Sequence, residues 1–154
     1  MLAPSKLGFF PLFAKQSQEM LYQIANLAEE KVFEPGAQLF FEGEVAKSLF
    51  QIEEGSVELT MNMGGVTEKM EPLGKGEVIG WSSIVEPRVY KLGAQAKHKT
   101  RVLVFKAEQL RALFDENPSF GYHFMNALAE VIGARLISKC VQIMSLADKK
   151  PAVS

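Results

Sequence analysis

The segment Gly76–Ile84 carries the residues best suited to hold a small anion. Within it a short apolar run ends at Gly80 and is followed by Trp81, Ser82 and Ser83, a polar turn typical of the start of a short helix. Backbone N–H groups at a helix N-terminus point outward and carry a partial positive charge, so they attract phosphate or carboxylate groups. We therefore interpret this segment as a candidate anion site.

Basic and aromatic side chains follow this polar turn. Arg88 and Tyr90 are two positions apart, so on an extended strand their side chains would share one face. Arg88 offers a planar, bidentate partner for an anion, and Lys91 offers a second cation. A solvated surface arginine beside Pro87 is an equally open interpretation of Arg88. The candidate ligand-binding residues of the polar turn and of the run that leads into it are Ile79, Gly80, Trp81, Ser82 and Ser83.

Residues for catalysis or metal binding are sparse in the remaining sequence. His98 and His123 are the only histidines, and neither has a His or Cys partner at metal-ligand spacing. Cys140 is the only cysteine, which excludes a disulfide framework and a four-cysteine cluster. No nucleophile with a suitable base, Walker loop or dinucleotide fingerprint is present. We therefore expect a protein that is not an enzyme, and these residues indicate no definite cofactor.

Three hydropathy patterns divide the chain into regions that would position these residues. Apolar residues recur at helical spacing from Ser17 to about Glu30, with Ser17 placed to cap an amphipathic helix. Short apolar runs separated by glycines follow over about 31–106 and predict an all-β sandwich or barrel, with a hairpin at Gly64-Gly65. Helical patterns return over about 107–147. We expect one domain at 1–147 and a tail at 148–154.

The last predicted helix runs from Pro118 to about Ala147 and would be about 45 Å long. That length exceeds the diameter of a compact domain of this size, so part of the helix must project or lie against something else. Ala129 and Gly133 are small residues four positions apart, which would let another backbone approach closely. We predict a homodimer seam along the second half of this helix.

Composition points to an ordinary globular protein. The 154 residues include 17 basic and 18 acidic side chains, giving a formal charge of −1, which argues against a general nucleic-acid binder. The apolar stretch 120–146 is interrupted by charged residues and makes a poor membrane span. The N-terminal apolar segment contains Pro11 and no small-residue cleavage site, so it makes a poor signal peptide. We expect a soluble, cytoplasmic protein.

The stretch Leu39–Gly55 carries a family resemblance. It reads as strand, glycine turn, strand and glycine turn, and it resembles the first signature of the cyclic nucleotide-binding domain found in catabolite-activator-type regulators, kinase regulatory subunits and gated channels. Phe40 and Gln51 are minor departures, and Phe33–Gly36 is similar to the family's entry into its second strand. The resemblance covers roughly Leu12–Leu136. It implies a mainly β fold with flanking helices: a double-stranded β-helix, or jelly-roll-like β-roll, with an N-terminal helix and a long C-terminal helix.

The family's second signature is its phosphate-binding cassette, where a Glu holds the ribose hydroxyl and an Arg pairs with the cyclic phosphate. The frame of that cassette survives here over Ile79–Ala96. Trp81 stands where the family has the Glu, and Tyr90 stands where it has the Arg. Arg88 or Lys91 could supply the missing charge from a shifted position, so the resemblance adds Arg88, Val89, Tyr90 and Lys91 to the candidate ligand-binding residues. The resemblance therefore implies a divergent cassette, and we predict that cyclic AMP binds weakly or not at all.

The resemblance implies a non-enzymatic regulatory sensor whose C-terminal helix reports ligand occupancy to a partner protein or a second copy. Two alternatives are open: an interaction or dimerisation scaffold with a degenerate pocket, and a sensor for a different small anionic or aromatic ligand. Trp81 either plugs the pocket or stacks on a planar ligand. An open cavity lined by Trp81, Tyr90 and Arg88 would favour a sensor, and a cavity filled by them would favour the scaffold. We expect no helix-turn-helix DNA-binding domain after Leu136 and no membrane partner.

Overall fold

The computed structural model describes residues 2–148 and has a mainly antiparallel β architecture with flanking helices, as predicted. Its elements in chain order are α1 (Pro4–Leu7), a 3-10 turn (Pro11–Phe13), α2 (Gln18–Leu27), β1 (Glu29–Phe33), β2 (Gln38–Phe40), β3 (Ser48–Glu54), β4 (Val57–Met63), β5 (Val66–Lys69), β6 (Val78–Ile79), a second 3-10 turn (Trp81–Ser83), β7 (Gly93–Ala96), β8 (Thr100–Lys106), α3 (Ala107–Glu116) and α4 (Pro118–Asp148). Positions 149–154 of the predicted tail lie outside the described residues.

The roll consists of two four-stranded antiparallel sheets. One sheet has the strand order β1-β8-β3-β6 and the other has the order β2-β7-β4-β5. Strand β3 shows how the sequence builds two cores, because side chains of a strand alternate between its faces. Phe50 and Ile52 pack between the sheets, whereas Leu49 packs against the helices. Gln51 lies on the same side of β3 as Leu49 and is fully buried there.

The predicted hairpin between β4 and β5 is confirmed. Met63 pairs with Val66, and the two glycines between them adopt positive φ angles of 61° and 88°. Glycine adopts such angles without the steric cost that a Cβ would add. The glycine pair therefore fixes the register of this hairpin.

The helices form a layer against the β3–β8 side of the roll. Ser17 caps α2 as predicted, because its Oγ accepts a hydrogen bond of 3.1 Å from Met20 N. The ring of Phe13 lies 5.2 Å from that of Phe105 on β8 and 5.9 Å from that of Phe124 on α4, measured between centroids. These contacts fix the first half of α4 on the roll.

The second half of α4 has a different environment. Its 31 residues would span about 46 Å, and its buried residues all lie between Phe120 and Leu128. Beyond them six large apolar side chains are between 58% and 67% exposed: Leu136, Ile137, Val141, Ile143, Met144 and Leu146. Within residues 2–148, none of the helices combines the length and the apolar character needed to cross a membrane.

Candidate functional site

The polar turn after β6 is held in place by Gly80. This residue has a φ angle of 77°, and a Cβ built on it would lie only 2.8 Å from Ser48 O on β3. Ser83 Oγ donates a hydrogen bond of 2.7 Å to Gly80 O and so closes the turn. Trp81–Ser83 forms only one turn of 3-10 helix. Because few peptide dipoles are aligned there, its attraction for an anion is smaller than that of a full helix.

A second hydrogen bond ties this turn to the helical layer. Arg111 Nη1 on α3 donates to Ser83 O over 2.7 Å. Ser83 itself is fully buried behind the turn. The turn is therefore anchored both to β3 and to α3.

Tyr90 occupies the centre of the cassette. Its side chain is buried, and its ring stacks on Phe40 with centroids 3.9 Å apart and an interplanar angle of 16°. Its hydroxyl donates to Ser48 O over 2.7 Å and accepts from Ser48 N over 3.2 Å. Burial raises the pKa of the Tyr90 hydroxyl above its ordinary value of about 10, although the hydrogen bonds to Ser48 oppose that rise. At neutral pH the residue is thus an anchored, uncharged phenol.

The cavity left beside Tyr90 is small. Its volume is about 80 Å³, compared with about 300–1,000 Å³ for typical ligand pockets. Its lining residues are Phe40, Leu59, Ile79, Gly80, Trp81, Ser82, Tyr90, Lys91, Leu92 and Arg135. The cassette pocket is therefore largely filled by side chains of the protein.

Six of the nine sequence-predicted site residues line this cavity, namely Ile79, Gly80, Trp81, Ser82, Tyr90 and Lys91. Ser83 lies behind the turn, and Val89 forms an isolated bridge with Val45. The extended conformation expected at Arg88 is wrong, because its φ angle is 57°. Arg88 Nε instead lies 3.3 Å from Glu86 Oε1. It shares no extended-strand face with Tyr90 and is absent from the cavity wall.

Trp81 lies between the small cavity and the helical layer. Its side chain is half-buried, lines the small cavity and also packs against the apolar cluster formed by the helices. Within residues 2–148, no group of three His, Cys, Asp or Glu side chains converges as a metal site requires.

Arg135 on α4 is a site residue that was not among those predicted from the sequence. Its Nη2 donates to Glu77 Oε2 over 3.0 Å and also to Val78 O, so α4 contacts the segment leading into the cassette. Its charge interrupts an apolar helix, and Lys139 follows one helical turn later. That pairing is the signal that could have marked this helix face.

A larger cavity lies next to the cassette, between β3, the segment 70–77 and α4. We call it the side cavity; it has a volume of about 380 Å³ and is bounded by Leu12, Gln51, Glu71, Glu77, Val131, Arg135 and Lys139 among others. Among residues 2–148, only Leu59 and Arg135 line both cavities.

Two known proteins are similar to this chain in sequence. The chain is 28% identical over 115 residues to a provisionally named potassium channel protein of Rhodopseudomonas palustris, and 24% identical over 120 residues to the cyclic AMP receptor protein of Thermus thermophilus. These matches cover 75% and 77% of this chain, but only 28% and 56% of the two relatives.

Solved structures and a family model extend the comparison. A provisionally named cyclic nucleotide-binding protein of Geobacter metallireducens is 32% identical and superposes with a TM-score of 0.80, covering 88% of this chain and 99% of that one. A family model described as the cyclic nucleotide-binding domain matches residues 30–117, from β1 to the end of α3. The chain therefore belongs to the cyclic nucleotide-binding domain family.

Proposed function

We propose that the chain is a single-domain, non-enzymatic regulatory module whose output element is α4. The observation that carries this proposal is the contact of Arg135 with Glu77 and Val78. Those two residues immediately precede Ile79 and Gly80 in the cassette. A movement of the cassette that displaces β6 must therefore either move α4 with it or break the Arg135 contacts.

The contacts of Arg135 with Glu77 and Val78 have a strength that suits a reversible link between α4 and the cassette. An arginine–carboxylate hydrogen bond is charge-assisted and is roughly twice as strong as a neutral one. The Arg135 side chain is 22% exposed and that of Glu77 is 44% exposed, so water weakens the pair without removing it. The Arg135–Glu77 contact is thus strong enough to hold α4 and weak enough to break when the cassette moves.

A second copy of the chain is the partner that we propose for the exposed half of α4. Contiguous apolar surface is rare on monomers, and this half of α4 carries six large exposed apolar residues. A Cβ at Gly133 would meet nothing within 4 Å, so the space beside this residue is open to another backbone. Self-association along α4 would carry the output of the module.

The cassette itself, in our proposal, holds Tyr90 in place of a cyclic nucleotide. Stacking on Phe40 and two hydrogen bonds to Ser48 fix the phenol in the site. A buried phosphate needs a charged partner, yet Lys91 is exposed and Arg135 is already paired with Glu77. Tight binding of cyclic AMP would therefore require Tyr90 to move and a cation to take its place.

Amide hydrogen exchange of the full chain tests the role of Arg135. Arg135→Met keeps the apolar stem of the side chain but removes its charge-assisted hydrogen bonds, each contributing about 1.5–3 kcal/mol. We expect exchange in residues 131–142 of α4 to accelerate at least about tenfold. Because coupling is reciprocal, exchange in residues 78–83 should accelerate as well.

Lys31→Met is the matched control, since Lys31 is an exposed cation on β1, at the opposite edge of the sheet from β6. It should leave exchange in both segments unchanged. If Arg135→Met also leaves exchange in α4 at the wild-type rate, α4 is not held by Arg135 and the proposed output is wrong.

A further inference from the structure

A polar groove lies on the outer face of the second sheet, opposite the face that lines the cassette cavity. Side chains of a strand alternate between its faces, so Leu59 and Ala94 point into the roll while their neighbours Thr60 and Gln95 point outward. We call this feature the outer groove; its volume of about 580 Å³ lies within the range of about 300–1,000 Å³ found for ligand pockets. Its floor crosses all four strands and carries Gln38, Gln95, Thr60, Asn62 and Thr67.

Gly93 on β7 makes the floor of the outer groove concave. A Cβ built on this residue would lie 2.6 Å from Thr60 Oγ1 and 3.2 Å from Gln38 Nε2. Thr60 and Gln38 belong to the strands on either side of β7, and they lean over the space that a side chain at Gly93 would fill. Because neighbouring strands lie about 4.8 Å apart, four strands give a floor roughly 14 Å across.

The loop between β2 and β3 forms a wall at one end of the outer groove. Glu42 Oε2 on this loop accepts a hydrogen bond of 2.9 Å from Asn62 N, which ties the loop to β4. Phe41 lines the groove from the same loop and is 57% exposed. An anchored loop therefore presents an aromatic ring to solvent beside a polar floor.

The floor of the outer groove carries uncharged hydrogen-bonding groups. Amide side chains offer both donors and acceptors, and so do threonine hydroxyls. The Nε2 atoms of Gln38 and Gln95 each donate to a backbone carbonyl, over 3.0 Å and 2.9 Å. The Oε1 atoms of these amides and the hydroxyls of Thr60 and Thr67 form no hydrogen bond within residues 2–148, so they are available to a ligand.

The charge around the outer groove disfavours an anionic ligand. Among residues 2–148, Glu42 is the only charged residue in its lining. Lys69 shares the outer face of β5, but it lies 3.8 Å from Glu58 and is engaged there. A carboxylate or phosphate in the groove would meet Glu42 without a cation to offset the repulsion. The groove thus favours an uncharged ligand that is rich in hydrogen-bonding groups.

We propose that the outer groove binds a neutral, extended β-1,4-linked oligosaccharide, with sugar hydroxyls on Gln38, Gln95 and Thr60 and one sugar ring against Phe41. A pyranose ring carries hydroxyls at its edge and C–H groups on its faces, so it needs both polar partners and an apolar platform. An exposed aromatic ring beside a row of amides and hydroxyls offers both. This binding goes beyond the proposed regulatory output and does not depend on it.

NMR titration of the full chain with cellotriose tests this proposal. We expect saturable binding with a Kd of about 1 mM or below. The comparison ligand is the tri-glucuronic acid with the same linkage, in which a carboxylate replaces each hydroxymethyl group. It should bind at least about fivefold more weakly because of Glu42. The side-chain amide resonances of Gln38 and Gln95 should shift with cellotriose, whereas the indole resonance of Trp81 in the cassette should not.

Two variants and a control locate the site. Phe41→Ala should weaken cellotriose binding at least about threefold through loss of the aromatic contact. Gly93→Ala should weaken it at least about tenfold, since the added methyl group fills the floor between Thr60 and Gln38. Phe9→Ala is the matched control, because Phe9 is 86% exposed and lies outside the groove lining; it should leave the affinity unchanged. Phe41 is an exposed loop residue, so its variant keeps the test informative if Gly93→Ala is destabilised.

Four results would each overturn the inference: no saturable shift at about 10 mM cellotriose, equal binding of the tri-glucuronic acid, an unchanged affinity in Phe41→Ala, or shifts confined to the cassette. Failure of this site is distinguishable from failure of the proposed output. The exchange experiment on Arg135→Met is performed without ligand and measures the attachment of α4 alone.

Discussion

Replacing Tyr90 by Phe isolates the contribution of one buried hydroxyl. The variant keeps the ring that stacks on Phe40 but removes the donor to Ser48 O and the acceptor for Ser48 N. A buried backbone group left without a partner costs about 1–3 kcal/mol. Since the small cavity leaves little room for water to replace the hydroxyl, we expect the free energy of unfolding to fall by about 1–3 kcal/mol.

Urea unfolding followed by the fluorescence of Trp81, the only tryptophan, measures this loss. Tyr22→Phe is the matched control, because Tyr22 is 53% exposed, and its expected change lies within about 0.5 kcal/mol. If Tyr90→Phe changes the unfolding free energy as little as this control does, the hydroxyl does not anchor the ring. The account of Tyr90 as a fixed occupant of the cassette would then be refuted.

Three further predictions concern pH, backbone conformation and self-association. Burial raises the pKa of Tyr90 in the folded protein above its value of about 10 in the unfolded chain. The contribution of Tyr90 to the free energy of unfolding is therefore complete below about pH 10 and is lost as pH rises through the folded-state pKa. Between about pH 9 and 11, urea unfolding should therefore show a larger fall in the free energy of unfolding for wild type than for Tyr90→Phe. Equal falls in the two proteins would contradict the role given to the buried Tyr90 hydroxyl. Gly80→Ala should destabilise the fold more than Gly36→Ala in thermal unfolding, since both positions have positive φ but only the first places a Cβ 2.8 Å from Ser48 O. A similar loss in both variants would show that this close approach is unimportant. Gly133→Leu should weaken self-association in sedimentation equilibrium without lowering stability, because its Cβ meets no neighbour within the chain; wild-type association by this variant would count against the α4 seam.

Much of the fold could be predicted because its determinants are local. The glycine pair Gly64-Gly65 specifies a hairpin through its own φ angles, and Ser17 caps α2 three residues away. The apolar run of β3 is long enough to indicate a strand buried on both faces. The length of α4 likewise follows from an uninterrupted helical pattern after Pro118.

The site was predictable only where it is contiguous in sequence. Ile79, Gly80 and Trp81 lie together on one turn, so a local motif marks them. The prediction that Arg88 shares a strand face with Tyr90 was wrong because Arg88 has a left-handed φ angle and lies in a turn. The alternation of side chains between the two faces of a strand does not apply to such a turn. Arg135 lies more than fifty residues after β6, and although its spacing from Lys139 marks a helix face, no local pattern shows that this face contacts Glu77 and Val78.

The filling of the cassette could not be predicted from residue types alone. The sequence marks Tyr90 as a replacement for the family's arginine, but a tyrosine there could equally well line an open pocket. Its occupancy depends on Phe40 and Ser48, which two different strands bring beside it. Packing across the roll therefore decides between an open and a filled site.

Tyr90, in this account, fills the part of the cassette where the family resemblance would place a cyclic nucleotide. Calorimetric titration of the full chain with cyclic AMP and cyclic GMP, repeated on Arg88→Ala, tests it most directly. We predict no binding of either nucleotide at micromolar concentrations, and no difference between the two proteins. Sub-micromolar binding that Arg88→Ala abolishes would contradict the claim, because it would mean that Tyr90 leaves the site and Arg88 takes over the phosphate.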